Sequence, residues 1–288
     1  MKYLKSIFIS SYMMLLMALA SYAAWNLRSG NTSLAWSGVL LTSAPLLMVI
    51  GRLVLLRNVA RTSAHFPLLH LLCAVGAALA AWAWRTGGAG SLPLFLAGVA
   101  WAGFALYVYW YSHFSRSANP RIAIGSMLPA FTLKDTNGNS IRSSQLTERP
   151  AIILFYRGNW CPLCMAQIKE LAERHEEFTN MGVRIVLISP QPPAKTTALA
   201  RKYGVAGDFL IDADNSAART LGIADPAGLP MGMQMLGYAN ETVLPTILIC
   251  NQQGKVVWTH ATDNYRLRPE PDVYLEVLRR HSLVPQVA

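Results

Sequence analysis

The sequence predicts an N-terminal α-helical transmembrane bundle of about four spans, followed by an α/β domain. Four long stretches carry no Lys, Arg, Asp or Glu: residues 7–25, 34–51, 66–84 and 92–112. No acidic residue precedes Asp135, so all 15 acids lie beyond the first 112 residues, in a different solvent regime. Beyond residue 119, short apolar runs alternate with amphipathic ones, the pattern of a sheet covered by helices.

Each apolar stretch approaches the roughly 20 residues that a bilayer requires. Trp25, Trp36, Trp82, Trp84, Tyr109, Trp110 and Tyr111 sit near their ends, where interfacial aromatics belong. The second stretch is the weakest, because it contains Pro45 and meets Arg52. Residues 1–23 also resemble a signal peptide, with Lys2 and Lys5 before an apolar run that ends in small residues. Cleavage there would remove one span. His70 and Cys73 fall inside the third stretch and are expected to be packing groups within the bundle.

Net charge is +10, but the basic residues form no dense run, which argues against nucleic acid. Seven of them lie in the first 112 residues, between the spans. Lys2, Lys5, Arg52, Arg57, Arg61, Arg116 and Arg121 fall on one side of the predicted topology, against Arg28 and Arg85 on the other. The excess predicts a multi-pass protein of the cell membrane with both termini, and the second domain, in the cytoplasm. The expected domains are residues 1–115 and 122–288.

In the second domain, residues 128–133 read as a strand leading to a hairpin turn over residues 135–140, which hold Asn137-Gly138. Residues 151–156 and 183–189 are continuous apolar runs, expected as buried strands. Residues 208–211, 246–250 and 255–259 complete the strands. Helices are expected over residues 166–179, 193–203, 215–221 and 271–281.

Cys161-Pro162-Leu163-Cys164 follows the first buried strand. Cysteines three apart at a helix start share one face. The helix dipole favours an anion there, so Cys161 is expected to have a depressed pKa and to attack as thiolate. Arg157 is close enough in sequence to assist. Cys164, one turn further in, is expected to be more buried and to resolve the mixed disulfide. The pair could instead be half of a zinc site, but no second CxxC exists, and Cys250 and His260 lack ligand spacing. Met231, Met233 and Met235 read as an apolar loop rather than a copper site, and Cys250 as a core thiol.

Trp160-Cys161-Pro162-Leu163-Cys164 after an apolar strand resembles the active site of the thioredoxin superfamily. Val243-Leu244-Pro245-Thr246 resembles its cis-proline loop, and residues 128–133 the entry strand of peroxiredoxin-like members. From about residue 122 onward the chain is similar to a peroxiredoxin-like member of the alkyl hydroperoxide reductase/thiol-specific antioxidant (AhpC/TSA) group. The resemblance implies a thioredoxin-like fold, a redox-active dithiol at Cys161 and Cys164, and site roles for Arg157, Trp160 and a cis Pro245. It implies that Val243 and Leu244 offer backbone to a substrate chain.

Three departures bear on activity. The family's Thr or Ser three residues before the peroxidatic cysteine is Gly158, its Pro seven residues before is Leu154, and its Arg falls where Pro245 stands. Those groups polarise and align a peroxide. The buried Asp that thioredoxins carry six residues before the first cysteine is Phe155. The expectation is therefore a membrane-anchored thiol-disulfide oxidoreductase, with no cofactor or metal. The alternatives are a thiol-dependent peroxidase (an antioxidant) or a membrane redox sensor or assembly factor. The expected partners are a disulfide-bearing protein or a peroxide, a thiol electron donor and the lipid bilayer.

Overall fold

The computed structural model describes residues 2–30, 33–56, 60–203 and 208–284. Arg57 and the Lys2 side chain, both counted in the charge pattern, lie outside what is described. The chain divides into two compact units, one formed by Tyr3–Leu56 and Thr62–His113, the other by Phe114–Ala288 with Arg57–Arg61.

The first unit is four helices: α1 (Lys2–Arg28), α2 (Ser33–Leu56), α3 (Pro67–Arg85) and α4 (Leu92–Leu106), the last prolonged by a π turn over Tyr107–Tyr111. All four are long and apolar enough to cross a membrane. They are apolar all round. Leu16, Val39, Ala80 and Phe104 pack inward, while Met17, Leu55, Leu71, Trp82 and Phe95 point outward. An exterior of that kind is unfavourable in water and suits hydrocarbon. α2 continues past Pro45 without a break in the helix, although the sequence makes this span the weakest. α2 and α3 touch at Gly38 and Gly76: a Cβ on Gly76 would come 2.6 Å from the Gly38 carbonyl. Small residues allow such backbone approach, which drives packing where the solvent is lipid. His70 Nδ1 accepts a hydrogen bond from Trp101 Nε1 at 3.2 Å, and Cys73 is buried against the Thr42 carbonyl.

The second unit is a seven-stranded mixed sheet, flanked by helices, in the order β2-β1-β5-β4-β3-β8-β9. Its strands are β1 (Thr132–Lys134), β2 (Ser140–Arg142), β3 (Ala151–Phe155), β4 (Arg184–Ser189), β5 (Asp208–Ile211), β8 (Thr246–Cys250) and β9 (Val256–His260). A separate pair is formed by β6 (Ala224–Asp225) and β7 (Thr242–Val243). The helices are α5 (Ser143–Leu146), α6 (Pro162–Glu173), α7 (His175–Asn180), α8 (Pro193–Tyr203), α9 (Ser216–Thr220) and α10 (Pro271–Arg280).

β3, β4 and β8 are buried along nearly their whole length, because helices cover both faces of the sheet centre. Ile153, Phe155, Val186, Leu210, Leu221 and Leu248 form the core on one face. Register positions the site. β3 runs parallel to β4 and antiparallel to β8, so Phe155 at the end of β3 pairs with Thr246 at the start of β8. Whatever follows Phe155 and precedes Thr246 is therefore gathered at one end of the sheet.

Two expected elements differ. The entry strand is shorter than residues 128–133, because β1 starts only at Thr132, where pairing with β2 begins. The expected helix over residues 166–179 starts earlier, at Pro162, and breaks at Arg174 into α6 and α7.

Candidate active site: the Cys161–Cys164 pair

Five residues separate β3 from Cys161, and their backbone is held from several sides. Tyr156 N–H donates to the Ile188 carbonyl of β4, and Asn159 N–H donates to Gln191 Oε1 at 2.7 Å. Gln191 Nε2 in turn donates to Tyr156 Oη and Thr196 Oγ1. Tyr238 Oη donates to Asn159 Oδ1 from the opposite loop. Gly158 has φ +146, and a Cβ there would meet Trp160 Nε1 at 2.7 Å. The turn therefore requires glycine where a threonine would be needed to align a peroxide.

Cys161 caps α6, with Pro162 at the first helical position. Its Sγ accepts the backbone N–H of Cys164 at 3.4 Å. The two sulfurs lie 2.6 Å apart, in direct contact, and neither is in a disulfide. Both are buried: Cys161 keeps 3% of its surface and Cys164 none.

Arg157 and Trp160 form the near wall. The Arg157 guanidinium lies 4.7 Å from the Trp160 ring centroid and 5.9 Å from that of Phe114, and donates to the Gly228 carbonyl. Cation–π contacts of this kind contribute on the order of 1 kcal/mol each.

Burial raises the proton affinity of Cys164. A hydrogen bond from Cys161, the charge of Arg268, a backbone hydrogen bond from Arg157 and the Arg157 charge outweigh burial and bring its pKa down to about 6. Cys161 is pushed well above the usual thiol range, first by its hydrogen bond with Cys164 and then by burial. With the sulfurs this close the first ionisation belongs to the pair and not to either residue.

Arg268 is invisible to motif reasoning. It is 6% exposed, donates through Nε to the Tyr265 carbonyl at 2.9 Å, and through Nη1 to Gln167 Oε1 at 3.4 Å. Gln167 Nε2 donates to Tyr274 Oη at 3.0 Å, so α6, the loop before α10 and α10 itself are linked. Only tertiary folding brings residue 268 to a motif at 161. The available sequence signal is the run Arg266-Leu267-Arg268-Pro269 between a strand and a helix.

Pro245 is at the same end of the sheet, but no peptide bond among the described residues is cis. Trans is the lower-energy isomer, and β8 starts from it without interruption. The Pro245 carbonyl accepts from Arg116 Nη2 at 2.7 Å. Val243 pairs with Ala224, and Leu244 N–H donates to the Ile223 carbonyl. That stretch of backbone is thus already engaged, contrary to the expectation that it is open to a substrate chain.

Cys250 is buried in β8, and burial pushes its thiol up to about 12. His260 Nε2 meets the Leu267 carbonyl instead. Among the described residues no group of three His, Cys, Asp or Glu is placed to hold a metal. Met231, Met235 and Leu236 are exposed on the loop that also carries Tyr238.

Residues 124–259 match the model of the AhpC/TSA family. The chain is 30% identical to the chloroplastic peroxiredoxin Q of Gentiana triflora over 40% of its own length, and spans 53% of that protein. It is 29% identical to the thiol-disulfide oxidoreductase ResA of Bacillus subtilis (strain 168), over 47% of this chain and 66% of that one. A crystal structure of the peroxidoxin BcpB from Mycobacterium tuberculosis aligns with a TM-score of 0.47 at 23% identity, covering 55% of this chain and 97% of that one. A strand-turn-helix dithiol and the family match over the same residues lead to one conclusion: after its four apolar helices, this chain carries a domain that matches the AhpC/TSA family model and is similar to peroxiredoxins and to a thiol-disulfide oxidoreductase.

Proposed function

We propose that the protein is a membrane-anchored thiol-disulfide oxidoreductase that works through Cys161 and Cys164, with Arg157, Trp160 and Pro245 around the pair. The observation that carries this reading is the pair itself: two sulfurs 2.6 Å apart at a helix start, one with its pKa brought down to about 6. Cys161 keeps the exposed surface, so it meets the substrate. As Cys161 attacks a substrate disulfide, its proton passes to Cys164, which supplies the base that Phe155 leaves missing. The substrate S–S bond breaks, one substrate sulfur leaves as a thiolate, and the other is held in a mixed disulfide with Cys161. The departing thiolate takes the proton, and Cys164 attacks Cys161. The second substrate sulfur leaves as a thiolate and takes a proton from water, so the products are a Cys161–Cys164 disulfide and two substrate thiols, and two electrons have moved to the substrate. A thiol donor restores the dithiol, and no cofactor takes part.

The charge pattern supports a multi-pass anchor in the cell membrane with the dithiol domain in the cytoplasm. A second reading, thiol peroxidase, is favoured by the family match and by the peroxiredoxin Q relative. There Cys161 becomes a sulfenic acid that Cys164 resolves.

The test is a pair of variants of the full chain with a model disulfide as substrate. Cys161→Ser is expected to abolish turnover, and Cys164→Ser to accumulate mixed disulfides. Full activity in Cys161→Ser would end the proposal. Stopped-flow oxidation by hydrogen peroxide separates the two readings: a rate no faster than a free thiol's excludes an efficient peroxidase.

A further inference from the structure

A cleft of about 670 Å³ lies beside the active-site end of the sheet, lined by Phe114, Arg116, Arg121, Ile223, Leu244 and Thr259 among others, and by no acidic residue. Its volume suits a small organic molecule. Phe114, Ile223 and Leu244 supply an apolar wall, and the two arginines supply charge. Neither arginine has a carboxylate within ion-pair distance of its guanidinium among the described residues. Arg116 donates to the Thr246 hydroxyl and the Pro245 carbonyl, and Arg121 to the carbonyls of Arg219 and Thr220.

Both cations are therefore held by neutral acceptors. Arg116 Nε is buried without a hydrogen-bond partner, as is Thr259 Oγ1. Burial and the nearby Arg268 charge bring Arg116 down to about 10, offset in part by Asp263 and Asp225. A buried donor left unmade is costly, and a cation in that state gains most from an anion.

A chain of side-chain contacts links the cleft wall to the neighbours of Cys161. The Phe114 ring is flanked by the guanidinium groups of Arg116 at 5.4 Å and Arg157 at 5.9 Å, and Arg157 lies over Trp160, the neighbour of Cys161. Leu244, on the cleft wall, adjoins Pro245 at the same sheet end.

We infer that this cleft is an anion subsite, in which Arg116 and Arg121 hold the carboxylate of an organic acid whose reactive bond reaches Cys161. The link to Cys161 rests on the thiol-exchange reading, whereas the carboxylate site stands on the cleft alone.

The probe for the cleft is 3-nitrobenzoate, which has no reactive sulfur, titrated calorimetrically into the full chain in detergent, with 3-nitrobenzamide as its neutral match. The acid is expected to bind and the amide not to. Arg116→Gln is expected to weaken the acid roughly tenfold and Arg116→Lys much less, since a charged hydrogen bond is at stake. Arg121→Gln gives a second loss if Arg116→Gln does not fold. Equal binding of acid and amide, or affinity unchanged in the foldable variants, would overturn the subsite.

The link to chemistry is read as a ratio: the rate with 5,5′-dithiobis(2-nitrobenzoate) over that with neutral 2,2′-dithiodipyridine. The ratio should fall roughly tenfold in Arg116→Gln. If nitrobenzoate binds but neither disulfide reacts, the thiol reading fails and the cleft stands. If both react with an unchanged ratio, and nitrobenzoate does not bind, the cleft fails and the thiol reading stands.

Discussion

Arg268 Nη1 donates to Gln167 Oε1 at 3.4 Å, tying a loop near the end of the chain to the helix that Cys161 caps. The bond fixes a buried cation where its charge lowers both thiols. Arg268 Nη2 is buried without a hydrogen-bond partner, so the guanidinium is not fully spent on structure.

It follows that Arg268→Gln should raise the first ionisation of the reduced pair from about 6 by about one unit or more. The measurement is thiolate absorbance against pH, alongside the pH dependence of alkylation. Arg268→Lys keeps the charge and should recover much of the shift. If Arg268 only braces the loop, the glutamine variant would lose stability while its ionisation stayed put.

What the sequence made legible follows from how local each signal is. The strand Ala151–Phe155, the helix Pro193–Tyr203 and the strand Thr246–Cys250 are written in short apolar runs and proline starts, and their ends fall where the pattern changes. The dithiol at a helix start is equally local. Arg268, Gln167 and Gln191 are not, because each reaches the site by packing between elements far apart in sequence. The electrostatics of the pair are equally non-local: the helix dipole is legible in the motif, whereas the burial of both sulfurs and the charge of Arg268, which act on both thiols, are not. At Pro245 a motif resemblance suggested a cis bond that the geometry of β8 does not need.

Gly158→Thr tests whether the departure from the peroxidase pattern is built into the backbone. The φ of +146 and the 2.7 Å approach to Trp160 Nε1 both exclude a Cβ without rearrangement. The substitution should destabilise the reduced protein by about 1–3 kcal/mol, read as a lower urea midpoint for loss of near-ultraviolet signal. It should also leave oxidation by hydrogen peroxide slow, because a strained turn cannot present the new hydroxyl in line. A variant of unchanged stability with much faster peroxide reaction would mean that the turn is malleable and the peroxidase reading is the better one.

The side of the membrane decides what restores the dithiol, and the burial pattern says how to measure it. Cys161 keeps only 3% of its surface, and the other three cysteines are buried, so a bulky impermeant maleimide should label the unaltered chain poorly from either side. Met235, 91% exposed on the loop beside Asn159, is a better reporter for the dithiol domain, and exposed Ser29, between the first two spans, reports the opposite side. With seven basic residues against two predicting the inner face, Met235→Cys should be labelled only after permeabilisation, and Ser29→Cys in intact cells. That outcome puts the pair where cytoplasmic thiols keep it reduced, and a soluble donor suffices. The reverse labelling would put it in an oxidising compartment, where the same sulfurs could act as a reductant only with electrons carried across the bilayer.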